Sequence, residues 1–193
     1  MTTPDEPLDK GASEIWRAER RQRLLANLLA GRPATFSRPG ILDSRLKTWA
    51  GLLAGGKGRS LILTGPVGTG KTWAIWHAAE EAVRAGYEGR VVVTTAARFR
   101  RIVAPATADP REFERYCAAG LLVLDDIGAV RLSEWDMDHL GELADERWGA
   151  QSPTVLSSNE TKLRELLGPR ISSRLADNAL VIEMDNPDRR RQP

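Results

Sequence analysis

The sequence predicts an α/β fold, a three-layer sandwich in which helices cover both faces of a five-stranded parallel sheet. Three observations lead to this prediction. Short apolar runs alternate with helix-length segments, a glycine-rich loop follows the first run, and two carboxylates end the third. Strands that alternate with helices are typical of parallel sheets covered on both faces. The five runs are 61–64, 90–95, 121–124, 153–159 and 180–183.

Composition is that of an ordinary globular protein with one domain, or one domain and a short appendage. The chain has 193 residues, of which 28% are charged and 41% hydrophobic, and its net charge is +2. Affinity for nucleic acid would therefore depend on local basic clusters. The single cysteine, Cys117, excludes an internal disulfide and a cysteine-based metal cluster. No apolar run approaches 18 residues and the N-terminus lacks a signal-peptide core, so we expect a cytoplasmic protein with no membrane partner.

Residues 1–34 are predicted to form an N-terminal extension that carries a basic amphipathic helix. Residues 1–10 hold two prolines and four charges, a composition that favours disorder. The helix is predicted to begin at Ser13 as its N-cap and to end at Gly31. Between residues 10 and 38 there are seven Lys or Arg and two acids. This helix either packs on the core with a solvated basic face or docks a protein partner or a nucleic-acid backbone.

A complete phosphate-loop motif, G-x-x-x-x-G-K-T, follows the first strand. Glycines allow the backbone to wrap closely around phosphates, and the N-terminus of the next helix, 71–85, faces the anion. The lysine can reach the β- and γ-phosphates, and the threonine hydroxyl can ligate Mg²⁺. We therefore predict that the loop binds a nucleotide. Its residues are Gly65, Pro66, Val67, Gly68, Thr69, Gly70, Lys71 and Thr72.

A second helix, 43–53, is predicted between the N-terminal helix and the first strand, and it ends at two glycines. Phe36 and Ile41 precede it. The segment just before the first strand lines the adenine pocket in many phosphate-loop ATPases, so both side chains are candidates for that pocket. Packing in the core is the alternative interpretation for both.

Three arginines lie on a short helix, 96–103, that follows the second strand. Arg98, Arg100 and Arg101 surround Phe99, with no acid nearby in the sequence. A charge run of this kind is usually a solvated face. Arginines beside an aromatic residue also suit contact with a single-stranded nucleic-acid backbone and stacking on its bases. Both interpretations stay open.

The third strand delivers two carboxylates, Asp125 and Asp126, at its C-terminal end. In parallel α/β sheets, ligands bind at the carboxyl ends of the strands. Asp125 is positioned to hold the Mg²⁺ shell, and Asp126 to polarise the attacking water. The fourth strand ends at Asn159, an amide that either caps the turn or orients water against a γ-phosphate.

Capping residues predict two further helices. A helix over 110–119 begins after Asp109, with proline at its first position. Another, over 133–148, begins at Ser133, and Asp136 three residues later allows a capping box. Both helices fall between predicted strands, as the alternating pattern requires.

Four motifs stand in order along the chain: GPVGTGKT, LLVLDDIG, PTVLSSNET and LGPRISSRL. Together they resemble the AAA+ ATPases of the bacterial and phage helicase-loader type, and the similar ATP-binding helper proteins of insertion-sequence transposition. The resemblance covers about residues 35–190. It implies a P-loop NTPase with an AAA+ core, little or no C-terminal helical lid, and ATP and Mg²⁺ as cofactors. We accordingly assign residues 35–193 to an AAA+ ATPase domain.

The resemblance also implies roles for single residues. Lys71 and Thr72 would bind phosphate and Mg²⁺, and Asp125 would be the Mg²⁺ carboxylate. Asp126 stands where such ATPases carry the catalytic acid, often Glu, so hydrolysis is expected to be slow or to use a bridging water. Asn159 is similar to the first sensor residue.

Arginines take the remaining roles that the resemblance implies. Arg174 resembles the finger offered to a neighbour's γ-phosphate, with Arg170, one helical turn away, as a second candidate. Arg190 or Arg189 resembles the second sensor. The helices after the second strand carry the family's DNA contacts. The residues at those positions are Arg98, Arg100 and Arg101.

These observations support one main function and two alternatives. We expect an ATPase that assembles on single-stranded DNA, forms oligomers through an arginine finger and loads a replicative helicase in DNA replication. The alternatives are a transposition helper that regulates a transposase, and a nucleotide-gated DNA-binding module that turns over slowly. A small-molecule kinase is disfavoured because the sequence shows neither an acceptor pocket nor a mobile Arg-rich lid.

Overall fold

The computed structural model describes residues 10–185, so the second-sensor candidates Arg190 and Arg189 lie outside the described residues. The helices are α1 (Lys10–Gly31), α2 (Ser44–Ala54), α3 (Lys71–Arg84), α4 (Ala96–Val103), α5 (Pro110–Cys117), α6 (Glu134–Gly149) and α7 (Leu163–Ala176). The strands are β1 (Leu61–Thr64), β2 (Val91–Thr95), β3 (Leu121–Ile127), β4 (Thr154–Ser158) and β5 (Leu180–Glu183). A short 3-10 turn, Ala34–Phe36, follows α1. Among residues 10–185, no helix combines the length and the apolar character needed to cross a membrane.

All five strands pair in parallel in one sheet, in the spatial order β2-β3-β4-β1-β5. The central strands are apolar on both faces, as a sheet covered on both sides requires. Every residue of 61–63 and 121–124 is at most 4% exposed. The predicted α/β class and the five-stranded parallel sheet are therefore confirmed. β3 is longer than expected, because it continues through both carboxylates to Ile127.

Helices cover the two faces of the sheet and give the molecule three layers. On one face α1, α2 and α3 pack over the strands, in a core that includes Leu28, Trp49 and Ala78. On the other face α4, α5, α6 and α7 surround a second core that includes Tyr116 and Leu140. Successive strand residues contribute alternately to the two cores, because side chains alternate across a strand.

Side-chain caps start several helices where the sequence places them. The Asp109 carboxylate accepts a backbone N–H at the start of α5. At α6, Ser133 and Asp136 form a reciprocal capping box. The expectation for α1 is wrong: the helix already begins at Lys10, so Ser13 lies inside it and is not its N-cap. Lys10 and Ala12 are good helix formers, and their propensity outweighs the cost of Gly11 in the first turn.

The C-terminal half of α1 packs on the core, and its N-terminal half is exposed. Leu28 is buried among the core residues on the α3 face. The Arg32 guanidinium pairs with Glu80 of α3 at 2.7 Å, and both side chains are largely buried. By contrast, Ile15 is 62% exposed and Trp16 is 69% exposed. Core packing thus explains the second half of the helix, and the docking interpretation applies only to the first half.

Candidate nucleotide-binding site

The motif glycines adopt backbone conformations that residues with side chains rarely reach. Gly65 has φ 134°, and a Cβ atom there would lie 2.0 Å from the carbonyl oxygen of Met184. Gly68 has φ 88°, and Gly70, with φ 93°, is the N-cap of α3. These conformations fold the loop over the N-terminus of α3, where backbone N–H groups and the helix dipole favour an anion.

The side chain of Lys71 is enclosed by the loop. It is 7% exposed, and its ammonium donates to the carbonyl oxygens of Gly65 at 2.6 Å and Pro66 at 2.8 Å. Thr69 closes the same turn by donating its hydroxyl to Pro66 at 3.0 Å, while Val67 is exposed. The positive charge is thereby held inside the loop that begins α3.

Thr72 and Asp125 bring a hydroxyl and a carboxylate together beside the loop. The Thr72 hydroxyl donates to the Asp125 carboxylate at 3.0 Å, and Asp125 is 7% exposed. Burial raises the pKa of Asp125, and hydrogen bonds from Ser157 and Thr72 oppose that rise. These ligands fit Mg²⁺, which uses one or two protein carboxylates and completes its octahedron with phosphate and water oxygens. Within residues 10–185, no group of three or more His, Cys, Asp or Glu side chains could hold a metal ion.

Asp126 reaches the same place through an irregular backbone. Its φ of 61° is rare for a residue with a side chain, and the pairing of β3 with β4 shifts register between Leu124 and Ile127. Asn159 donates its side-chain amide to Asp126 Oδ1 at 3.2 Å. The structure therefore brings Asp125, Asp126 and Asn159 together at the carboxyl edge of the sheet, next to the phosphate loop.

A cavity of about 490 Å³ adjoins these groups, a size typical of small-ligand pockets. Residues of the phosphate loop line it together with Asp126 and Asn159. Phe36, one candidate for the adenine pocket, lines it as well. Ile41, the other candidate, is 88% exposed and belongs to neither the cavity lining nor the core. The core-packing interpretation of Ile41 is therefore wrong, because the residue lies on the exposed connection before α2, and its adenine-pocket role stays a prediction.

Trp73 also lines the cavity, although the sequence prediction does not include it. Its indole N–H donates to the Arg38 carbonyl at 2.9 Å, and its ring stacks on His77 with centroids 4.0 Å apart. A Cβ on Gly40 would lie 2.7 Å from the Trp73 ring, so the connection before α2 runs close to α3. An aromatic residue directly after the motif was the available signal. Ser157, a further lining residue, carries no such signal, because a serine on a strand has many uses.

Arg174 lies at the opposite, amino edge of the sheet, and Arg170 lies one helical turn before it on α7. Arg174 lines a cavity of about 450 Å³ together with Ser60, which precedes β1, and Thr154, which begins β4. β1 has four residues and β4 has five, so at about 3.3 Å per residue these strands are about 13–17 Å long. Arg174 is therefore separated by a strand length from the phosphate loop of its own chain. Both arginines contact Asp145 of α6, Arg174 through its Nε at 3.1 Å.

An aromatic ring completes the surroundings of Arg174. The guanidinium carbon lies 3.8 Å from the centre of the Trp148 ring. The Trp148 N–H in turn donates to the Asp177 carboxylate at 2.6 Å. Hydrogen bonds from Arg170 and Arg174 hold the pKa of Asp145 below its ordinary value, so this carboxylate stays ionised at neutral pH. The predicted finger is thus held by one carboxylate and one ring.

The arginines of α4 have acidic partners that are distant in the sequence. Arg98 lies 3.6 Å from Glu112 of α5, and Arg100 lies 3.5 Å from Asp136 of α6. Phe99 is 0% exposed and packs in the core, so it offers no surface for stacking on a base. The stacking role of Phe99 is therefore wrong, because the helix turns its apolar face inward. The arginines exposed on the helix are Arg98, Arg100 and Arg101.

Comparison with known proteins places the chain among ATP-binding proteins. The model of the family described as IstB-like ATP binding protein matches residues 14–180. An ATP-binding protein of insertion sequence IS1162 from Pseudomonas fluorescens is 33% identical over 100 residues, which is 51% of this chain and 43% of that protein. The replicative helicase loader DnaI of Bacillus subtilis (strain 168) is 28% identical over 153 residues, 70% of this chain and 49% of DnaI. The chain thus spans about half the length of these relatives or less.

A solved structure confirms the fold independently of sequence. The crystal structure of the DnaC helicase loader matches with a TM-score of 0.66 at 16% identity, over 82% of this chain and 99% of that chain. At this identity the match shows a shared fold alone, and that fold agrees with the α/β class that the sequence predicts. The family model extends over most of the sequence and includes the phosphate loop, both acids and the strand-end amide. The chain belongs to the IstB-like ATP-binding protein family.

Proposed function

We propose that this protein is a Mg²⁺-dependent ATPase that assembles on single-stranded DNA and loads a replicative helicase. The observation that carries the proposal is the convergence of a phosphate loop, two acids and an amide at one edge of the sheet. A phosphate loop alone would support nucleotide binding. The acids and the amide add what hydrolysis requires, namely a metal ligand, a base and a group that orients water.

Lys71 exchanges its two loop carbonyls for oxygens of the β- and γ-phosphates. Hydrogen bonds between charged partners are stronger than those to neutral carbonyls, which favours the exchange. Thr72 and Asp125 would hold Mg²⁺, and the ion would supply positive charge to neutralise the phosphates. The hydrogen bond that already joins Thr72 to Asp125 keeps both oxygens close together for this task.

Asp126 accepts the proton of the attacking water, and Asn159 orients that water. Because the two side chains contact each other at 3.2 Å, a water bound beside the pair can donate to the Asp126 carboxylate and accept from the second N–H of Asn159. Aspartate is one methylene shorter than the glutamate usual in such ATPases, so its carboxylate stops farther from the phosphate. We therefore expect slow turnover.

Arg174 completes the site of a neighbouring subunit. Its place at the amino edge, a strand length from its own phosphate loop, supports action in trans. A finger supplied in trans makes hydrolysis depend on assembly, since an isolated subunit lacks this charge. Arg170 shares Asp145 with Arg174 and is the second candidate for the role.

Two partner classes are supported, and the comparisons favour each through a different relative. The likeness to DnaI over 70% of the chain supports a replicative helicase as partner. The family model and the likeness to the IS1162 protein favour a second candidate function, a helper that regulates a transposase. Binding of purified helicase and of purified transposase, each measured with ATP present, distinguishes the two functions.

Measurement of ATP binding and turnover tests the proposed activity. We expect the wild type to bind ATP and to hydrolyse it slowly, and Lys71→Ala to lose both properties. Binding without turnover would favour a nucleotide-gated module instead. A wild-type protein that does not bind ATP would contradict the proposal.

The DNA part of the proposal is tested by the same turnover assay with single-stranded DNA added. Alanine at all three exposed arginines of α4 should remove any stimulation by DNA and leave basal turnover unchanged. A matched variant removes three exposed cations that lie outside α1 and α4, and it should keep the stimulation. Its positions are Lys47, Arg90 and Arg164. Equal loss of stimulation in the two variants would contradict a specific role for α4.

A further inference from the structure

We propose that Ser157 is a positioning residue for the two acids of the site, an inference that rests on the proposed ATPase function. Ser157 lies on β4, the strand next to β3, and is 1% exposed. Its hydroxyl donates to Asp125 Oδ1 and accepts the backbone N–H of Asp126 at 2.8 Å. One side chain thus contacts both members of the acid pair.

A regular strand could not present both acids to one site. Successive side chains on a strand point to opposite faces, so Asp125 and Asp126 would face different layers of the molecule. The register shift between Leu124 and Ile127 and the φ of 61° at Asp126 interrupt that alternation. As a result, Asp126 lines the cavity and contacts Asn159.

The hydrogen bond from the Asp126 N–H ties this irregular segment to β4. A residue with a side chain keeps a positive φ only where its surroundings determine it. At a break in the ladder, the partly buried N–H also needs an acceptor other than a strand carbonyl. Ser157 supplies that acceptor from its side chain. The conformation that aims Asp126 at the cavity therefore depends on this hydroxyl.

The same hydroxyl orients the carboxylate of Asp125. A serine hydroxyl can donate one hydrogen bond, and Ser157 donates it to Asp125 Oδ1. Thr72 donates to the other oxygen, Oδ2, at 3.0 Å. The carboxylate is therefore held from β4 on one side and from α3 on the other. Groups that orient a metal-binding carboxylate in this way typically contribute 10–100-fold to metal affinity or activity.

Ser158 offers a matched control on the same strand. It is 0% exposed, and its hydroxyl donates to the Ile127 carbonyl at 2.7 Å and accepts the Glu160 N–H at 3.0 Å. Like Ser157, it is buried and bridges β4 to β3. It contacts neither acid. Removal of its hydroxyl therefore costs comparable hydrogen bonds and leaves the acid pair in place.

The test compares Ser157→Ala with Ser158→Ala in the full chain, with Mn²⁺ as a spectroscopic probe for Mg²⁺. Paramagnetic resonance measures the Mn²⁺ affinity of the ATP-saturated protein, and ATP affinity is measured separately in EDTA. We expect Ser157→Ala to weaken Mn²⁺ affinity by about 10–100-fold and to lower kcat with little change in KM. Its ATP affinity in EDTA should be that of the wild type. Ser158→Ala should keep wild-type Mn²⁺ affinity, while thermal unfolding shifts equally in both variants.

Ser157→Cys keeps the shape of the side chain and weakens the donor, so it serves as the test variant if Ser157→Ala does not fold. We expect an intermediate loss of Mn²⁺ affinity from it. Wild-type Mn²⁺ affinity in the Ser157 variants, or an equal loss in Ser158→Ala, would overturn the inference. Failure of the wild type itself to bind Mn²⁺ and ATP would instead contradict the proposed function, so the two failures are distinguishable.

Discussion

The two edges of the sheet build their polar groups from different elements. At the carboxyl edge, acids and small hydroxyl side chains on strand ends bond to one another, with Asp125 and Ser157 both under 10% exposed. At the amino edge, arginines from helices line the cavity, among them Arg147 and Arg174. Short side chains on paired strands have few rotamers and keep one geometry, whereas long side chains on helices can change partners. The carboxyl edge thus suits chemistry, and the amino edge suits contact with a second molecule.

Two arginines within the amino edge repeat this contrast. Arg147 is 2% exposed, and its guanidinium donates to four main-chain carbonyls and one hydroxyl. In the described part of the chain no carboxylate pairs with it, and burial lowers its pKa to about 10, so it stays charged at neutral pH. The Arg174 side chain is 37% exposed and contacts one carboxylate and one ring. Arg147 is part of the core, and Arg174 is free to exchange its partners.

The largest effect is expected from Arg174→Ala. Removal of an arginine finger lowers turnover by about 10³-fold or more. ATP affinity should not change, because the residue lies at the edge opposite to its own phosphate loop. Steady-state turnover and equilibrium ATP binding measure the two effects. Arg59→Ala, which removes another arginine from the same cavity, is the control and should keep full turnover.

The thiol of Cys117 probes the packing next to Arg147, which donates to the Cys117 carbonyl. Burial raises the pKa of the Cys117 thiol to about 12, against about 8.5 in an unfolded chain. At pH 8 we therefore expect alkylation by iodoacetamide to be about 10³-fold slower in the native protein than in urea, as mass spectrometry would measure.

The raised pKa of Cys117 also makes the free energy of unfolding depend on pH. The folded pKa is the higher one, so the neutral thiol stabilises the fold below about pH 8.5 and this contribution is lost as the pH rises toward 12. Cys117→Ala should weaken the alkaline loss of stability. Equal alkylation rates in native buffer and in urea would show that the α5 end is open.

Arg147→Leu should destabilise the fold without touching the site. It leaves several buried carbonyls without a donor, and we expect the free energy of unfolding to fall by about 3 kcal/mol. Chemical denaturation measures this change. Arg164→Leu on exposed α7 surface is the control, with an expected change within about 0.5 kcal/mol. Equal stability of the two variants would mean that the amino edge does not depend on Arg147.

A smaller effect is expected from Trp148→Leu, which removes the ring beneath Arg174. A cation–π contact at an exposed site contributes about 0.5–1 kcal/mol, so turnover should fall by about two- to fivefold. Trp135 lies on the same helix and is 49% exposed, against 44% for Trp148. Trp135→Leu is therefore the matched control and should keep wild-type turnover. A larger fall in the control would show that α6 packing, not the ring, supports Arg174.

The sequence could predict the strands and the meeting of the site residues because their signals are local. Apolar runs mark the strands, and a parallel sheet brings the ends of β3 and β4 to one edge, where Asp126 contacts Asn159. The sheet order and the shift at Asp126 could not be predicted. They depend on pairing between strands that are distant in the sequence, as Leu61 with Leu180 shows for the sheet order and Asp126 with Ser157 for the shift.

The surface of α4 could be predicted only in part. Phe99 shares a helical face with the buried residues Ala96, Ile102 and Val103, so its burial had a local signal in the 3.6-residue period. The partners of the arginines had none, because Glu112 comes from α5 and its position depends on how α5 packs. A run of charged residues therefore indicates an exposed surface. The net electrostatic field at that surface also depends on the charges that neighbouring helices contribute.

The central claim is that a nucleotide at one carboxyl edge meets the amino edge of a neighbouring chain. Lys71→Ala and Arg174→Ala should each be inactive alone, the first through its phosphate loop and the second through its finger. In a mixture, an intact loop from one variant meets an intact finger from the other. We therefore expect ATP turnover to return on mixing and to peak at equal amounts of the two variants. Turnover that never exceeds the sum of the separate variants would contradict the claim.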